Sequence, residues 1–108
     1  MAGLEREYRR LLTYSRLGSL SQLYFFERDG VPYRDLRAEL ELDDSGFGPQ
    51  LKFLKDEGYV KVKEVGLNDE KITVYYITES GKRAYKEILE WIRGLPISAE
   101  LNAGNKES

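Results

Sequence analysis

The sequence predicts an α+β fold, mostly helical, and three observations carry that reading. A stretch with Phe47, Leu51 and Leu54 on one helical face breaks at Gly58-Tyr59-Val60. Two runs that read as strands follow, Tyr59 to Val65 and Ile72 to Ile77, joined by the polar turn Gly66-Leu67-Asn68-Asp69-Glu70-Lys71. Thr78-Glu79-Ser80-Gly81 then opens a last helix.

The elements before these are legible in order. Residues 4–14 favour a helix, with Leu4, Tyr8, Leu11 and Leu12 in one stripe and Arg6, Arg9 and Arg10 elsewhere, a cluster that reads as a solvated face or as phosphate-binding. Ser15 is placed to cap a second helix running to about Arg28, with Leu17, Leu20, Leu23 and Tyr24 inward and Asp29-Gly30 as its stop. Gly18 inside it costs about 1 kcal/mol relative to alanine, which a close helix contact would justify. Val31 is extended before Pro32, and proline suits the first turn of a helix containing Leu36 and Leu40. After a bend at Glu41-Leu42 the next helix has two possible starts. Asp43, Asp44 and Ser45 have capping oxygens, while Gly48 before Pro49 would begin a shorter helix, because proline is tolerated in a first turn. The last helix spans about Ser80 to Arg93 and ends at Gly94-Leu95-Pro96. These elements make one domain over residues 1–96, with 97–108 expected to be a flexible tail.

At 108 residues, 41% apolar and 12% aromatic, the chain can fill one core. It has no cysteine and no histidine, which excludes disulfides, thiolate zinc sites, and cysteine or histidine catalysis. No apolar run approaches the ~20 residues that span a bilayer, and the first residues lack a signal-peptide core. The expected location is cytoplasmic, with no membrane partner. No nucleophile with its base and no phosphate-cradling glycine loop is visible, and no strand precedes Gly46-Phe47-Gly48 as a nucleotide fingerprint requires. An enzyme is therefore not expected, nor a cofactor. Asp43-Asp44 and Asp69-Glu70 have simpler explanations as cap and turn residues than as a metal site.

The runs Leu51-Lys52-Phe53-Leu54-Lys55-Asp56-Glu57-Gly58-Tyr59-Val60 and Tyr75-Tyr76-Ile77-Thr78-Glu79-Ser80-Gly81 resemble the helix-to-wing and strand-to-last-helix junctions of the winged-helix transcription regulators of archaea and bacteria, nearest to the MarR-like and ArsR-like groups. The resemblance covers Ser15 to Leu95. It implies a winged helix-turn-helix with a two-stranded wing plus N- and C-terminal helices. It also implies a homodimer that binds double-stranded DNA sequence-specifically at a pseudo-palindromic operator, with no effector identified by the residues themselves. Where many relatives start the reading helix with cationic or hydroxyl residues, this chain has Asp44, Ser45, Gly46, Gly48 and Pro49. Its wing tip holds one cation, Lys71, against Asp69 and Glu70.

Charge does not announce DNA. The formal net charge is −2, and from Val31 to Glu57 four basic residues face seven acids, whereas DNA-binding domains are usually basic. Candidate contacts are therefore argued by position. Gln50 precedes core residue Leu51, so it is expected to face outward, where it could pair with an adenine edge. Ser45, Lys52 and Lys55 share that helix, and Tyr33 and Arg34 open the preceding one. Lys61 and Lys63 alternate with Val60 and Val62 and should project from the wing, with Lys71 at its tip. Ile72, Val74 and Tyr76 turn a second apolar face outward, expected to pack on the N-terminal helix or on another chain. In the last helix Tyr85, Ile88, Leu89 and Ile92 form one stripe, with Trp91 on a neighbouring one. That breadth predicts a dimer seam to which Leu4, Tyr8 and Leu11 add. A winged helix used as a protein-interaction module, with little DNA binding, is the competing expectation.

Overall fold

The computed structural model describes residues 3–97. Five helices and a three-stranded antiparallel sheet alternate as α1 (Arg6–Arg9), α2 (Tyr14–Phe25), β1 (Val31–Pro32), α3 (Tyr33–Glu39), α4 (Asp44–Asp56), β2 (Val60–Leu67), β3 (Glu70–Ile77) and α5 (Glu79–Arg93). The strand order is β1-β3-β2. The expected mostly helical α+β winged helix-turn-helix is what forms, with the two-residue β1 added at the sheet edge. That edge suits Pro32, which has no N–H to give to a ladder. Residues 98–108, most of the expected tail, lie outside the described residues. Among the described residues no helix is long and apolar enough to cross a membrane.

The N-terminal half departs from the expected boundaries. Instead of a helix over 4–14, α1 has four residues, and the chain then makes tight i→i−3 bonds from Leu11 N to Tyr8 O (3.0 Å) and from Leu12 N to Arg9 O (3.1 Å). Thr13 is the cause, because it takes extended geometry and its hydroxyl accepts from Arg16 N as the cap of α2. The cap is therefore Thr13, not Ser15. Gly18 lets α2 lie against Leu40, whose Cδ2 would stand 2.8 Å from a Cβ at that position.

The start of α4 resolves in favour of the acidic cap. The Asp43 carboxylate accepts from Gly46 N at 3.0 Å and from the Ser45 hydroxyl at 2.9 Å, and the helix runs on through Pro49. Proline cannot donate to the Ser45 carbonyl, so one rung of the ladder is missing. Gly48, lacking a Cβ, removes the usual clash of a residue that precedes proline. Helix α4 is thus 13 residues long. It ends in a Schellman turn: Tyr59 N bonds Leu54 O (2.9 Å) and Gly58 N bonds Lys55 O (3.0 Å), with Gly58 at φ +83°. The same bond pattern closes α3, from Leu42 N to Arg37 O and from Glu41 N to Ala38 O, with Glu41 at φ +54° in the glycine position.

The hairpin turns on Asn68 and Asp69, both at positive φ (52° and 65°), the requirement of a type I′ turn that matches strand twist. Its register pairs Val60 with Ile77 and Val62 with Tyr75, so these four share the face toward the core, as the alternation predicts. On the opposite face Val74 is buried. At its root Gly30 packs so closely on Val74 and Tyr76 that a Cβ would sit 2.8 and 2.7 Å from their side chains. Toward the tip Val65 and Leu67 stay exposed.

Leu20, Leu23, Leu36, Phe47, Leu51, Leu54 and Ile88 form the dry centre, joined by Leu11. Around it the two junctions interlock. The Thr78 hydroxyl donates to Gly58 O (2.7 Å) and accepts from Gly81 N (3.0 Å), while Thr78 N donates to Tyr59 O (3.1 Å). Gly81 lies so near that a Cβ would collide with the Tyr59 carbonyl oxygen, with Ile77 Cγ1 at 2.8 Å. Backbone cannot yield as a side-chain tip does. Gly81→Ala is predicted to destabilise the fold by about 1 to 3 kcal/mol, read as a lower midpoint in urea or thermal unfolding. An unchanged midpoint would mean that the junction has slack.

Candidate nucleic-acid interface

The side of α4 that leaves the core is set by its buried residues. With Phe47, Leu51 and Leu54 inward and 3.6 residues per turn, Ser45, Pro49, Lys52 and Asp56 form the outward stripe, and all four are exposed. Lys52 Nζ lies 2.6 Å from Asp56 Oδ2, an exposed pair one turn apart, worth about 0.3 to 0.5 kcal/mol and cheaply released. Lys55 is exposed on the adjoining flank.

Gln50 is not presented as expected. It is half-buried, and its Oε1 accepts from Arg16 Nε at 2.8 Å. One residue before a core position is a rotation of about 100°, which carries Gln50 onto the flank facing α2, where an arginine holds it. Phe53 and Glu57 continue that flank. The guanidiniums of Arg16 and Arg10 lie over the Phe53 ring, 3.7 and 4.7 Å from its centroid, and Arg10 Nη1 reaches Glu57 Oε1 at 2.8 Å.

On the other flank, α3 and the wing form a groove of about 310 Å³ lined by Tyr33, Arg34, Glu70, Lys71, Thr73 and Tyr75. Here the structure brings Tyr33 and Arg34, which open α3, together with Lys71 of the wing tip. Thr73 is an addition that only strand register could have supplied, since it shares a sheet face with Lys71 and Tyr75. Tyr33 is wedged between Phe47 and Tyr75, with ring centroids 5.7 and 6.3 Å away, and its hydroxyl donates to Asp44 Oδ1 at 2.8 Å. Burial, then that bond to Asp44, raises its pKa above the ordinary tyrosine value, so the hydroxyl remains a donor. Asp44 also meets Arg37 Nε at 3.4 Å. Asp43 has its pKa lowered, first by the Gly46 amide and then by the Ser45 hydroxyl. Both acids at the start of α4 are therefore engaged internally.

Lys61 and Lys63 project from the core, as their alternation with the valines implies, but they lie on the opposite face of the wing from this groove. Their Nζ atoms stand 5.9 and 5.3 Å from the Tyr76 centroid, and they line a recess shared with Glu27, Arg28, Glu79 and Lys82. In that recess Lys82 bridges Glu27 (2.6 Å) and Glu79 (3.1 Å). The sheet's own thickness separates these lysines from Tyr33, Arg34 and Lys71.

The residues expected at a dimer seam divide. Leu4, Leu11 and Ile88 are 7%, 0% and 0% exposed in the chain's own core, and so offer no apolar surface to a partner. The breadth of the last helix is partly consumed internally, because the short α1 lets Leu4 and Leu11 turn inward. Tyr8, Tyr85, Leu89, Trp91 and Ile92 are half-buried. Leu89 and Tyr85 line an apolar cleft of about 420 Å³ between α2 and α5, together with Leu12, Tyr14, Leu17 and Gly18. Among the described residues no group of three or more acidic side chains is placed to hold a metal ion.

A sequence profile of the winged helix DNA-binding domain family matches residues 15–95. In shape the chain is similar to Staphylococcus aureus MepR in its DNA complex, at 14% identity and TM-score 0.71 over 94% of this chain and 79% of that one. It is also similar to a MarR-family transcriptional regulator from Silicibacter pomeroyi (22%, TM-score 0.63, 96% and 76%). The regulator MosR of Mycobacterium tuberculosis in complex with DNA is a third (20%, TM-score 0.66, 93% and 69%). No curated protein matches in sequence. With three quarters of its length inside the profile, the chain belongs to the winged helix DNA-binding domain family.

Proposed function

We propose that this chain is a sequence-specific DNA-binding transcription regulator that acts as a homodimer on a pseudo-palindromic operator. The observation that carries the reading is the intact α4, whose exposed stripe of Ser45, Pro49, Lys52 and Asp56 stands beside the groove of Tyr33, Arg34, Lys71 and Thr73. Seated in a major groove, α4 would offer Ser45 and Lys52 to base edges, and lysine pairs with the O6 and N7 of guanine. Arg34, Lys55 and Lys71 would meet phosphates. Occupying an operator in this way controls transcription by blocking or recruiting the machinery that reads it.

The second copy would dock on the α2–α5 side. Leu12 and Tyr14 are 36% and 63% exposed beside the half-buried Tyr85, Leu89, Trp91 and Ile92, and a two-fold pair would set two reading helices about one DNA turn apart. One observation favours the competing reading of a protein-interaction module. Phe25 and Phe26 pack edge to face with centroids 4.8 Å apart, yet are 79% and 44% exposed at the end of α2.

Fluorescence anisotropy with random and genomic duplex separates the two, since no binding even at low salt would leave only the interaction module. For the backbone contacts, replacing Arg34 and Lys71 with alanine is predicted to flatten the slope of log Kobs against log salt by about 0.9 per lost contact. The Lys61→Ala/Lys63→Ala double variant should change it less, and the reverse order would move the interface to the other face of the wing. Base reading is tested by selection from random duplex. Lys52→Ala should relax preference at one or two positions by ~1 to 3 kcal/mol, with Gln50→Ala leaving the selected sequence alone; a shift with Gln50→Ala instead would place the reading edge on the α2 flank. For assembly, sedimentation equilibrium should give a dimer at micromolar concentration, weakened by Leu12→Glu in a chain still folded by circular dichroism. A wild-type monomer under those conditions would refute the dimer.

A further inference from the structure

Two arginines from outside the helix-turn-helix grip α4 from the side. Arg16 stacks on Phe53, donates from Nε to Gln50 Oε1, and donates from Nη1 to the Arg10 carbonyl at 2.6 Å. Arg10 stacks on the same ring and reaches Glu57 from the segment before α2. Its side chain is 57% exposed. Stacking fixes the plane of a guanidinium; Nε and Nη1 of Arg16 are already engaged, leaving Nη2, whereas among the described residues the edge of the exposed Arg10 meets only the Glu57 carboxylate.

We infer that Arg10 and Arg16 form a second phosphate-binding rail, on the flank of α4 opposite Arg34 and Lys71, with the sugar–phosphate backbone of DNA as its ligand. The inference rests on the DNA-binding reading and extends it. A helix with its side chains is about 10–12 Å across, and the major groove is about 12 Å wide, so both flanks of a seated helix face a backbone. The flank toward α3 has its cations in Arg34, Lys55 and Lys71. The other flank is the stripe Gln50, Phe53 and Glu57, which carries no cation of its own. Among the described residues its positive charge comes from the two arginines laid over Phe53. Glu57 is the one acid there, and its pair with Arg10 is exposed on both sides, 57% and 40%. Such pairs are weak and screened by salt, so a phosphate oxygen can take the guanidinium from it. Arginine is also the side chain whose fork fits two phosphate oxygens at once.

The test is a salt series of anisotropy titrations on one duplex with wild type, Arg10→Gln, Arg10→Lys and Glu57→Gln, each checked for an unchanged unfolding midpoint. Arg10→Gln should flatten the salt slope by about 0.9 and weaken binding several-fold at low salt, with Arg10→Lys close to wild type in slope. Glu57→Gln should act in the opposite direction and tighten binding. If Arg10 merely pairs with Glu57, removing either partner breaks the same contact, and the two variants would behave alike. A slope for Arg10→Gln equal to that of wild type overturns the rail while leaving the DNA reading intact. A wild type that binds no DNA at low salt overturns both.

Discussion

The arrangement of α4, the wing and α5 depends on the contact between Thr78-Glu79-Ser80-Gly81 and Gly58-Tyr59. Thr78 is cap, donor and acceptor at once: it starts α5, and it ties the backbone at the end of α4 to the end of β3. The Tyr59 carbonyl accepts from Thr78 N on the side where Gly81 removes every atom that could keep it away. Tyr59 N is already spent in the Schellman bond to Leu54. A few backbone groups therefore fix where α4 ends, where β2 begins and how α5 leaves the sheet. The buried Leu54, Tyr59, Val60, Ile77 and Ala84 then fill the space so defined.

Those junctions were legible in the sequence because each rests on residues with narrow conformational uses. Glycine at a left-handed helix end, an Asn-Asp pair in a hairpin turn, and a threonine before a helix state their roles locally. The dry core was legible for a related reason, since period 3.6 and period 2 each name a buried face. Boundaries were harder where two local preferences compete. Residues 4–14 have helical composition throughout, but Thr13 is committed to capping α2 and the chain cannot stay helical up to it. At α4 the proline argued for a late start, and the Asp43 cap with Gly48 before Pro49 outweighed it.

The candidate interface was legible only in part. Helical spacing shows which residues leave the core, and Ser45, Lys52 and Lys55 do so. It does not show which neighbour waits on a flank, so Gln50 and its partner Arg16, 34 residues apart in sequence, could not be paired. Strand alternation sent Lys61 and Lys63 outward correctly. Which of the sheet's two faces looks onto α3 is a tertiary fact, decided by Tyr33 resting on Tyr75. Charge counting missed that Asp43 and Asp44 are occupied by Gly46, Ser45, Tyr33 and Arg37. Those donors favour the charged form of Asp43, so the local negative charge is hydrogen-bonded within the fold but not removed.

The Thr78–Gly58 tie has a mechanical consequence. Because α4, the wing and α5 share one small block of hydrogen-bonded backbone, none of them can tilt far without carrying the others, and packed interfaces shift between discrete arrangements more readily than they deform. A force applied at the far end of α5, by a second copy or by anything lodged against it, would swing the reading helix as the tip of a lever rather than reshape its surface. In a two-fold pair the adjustable variable would then be the separation between two rigid tips, set against a DNA repeat of about 34–36 Å.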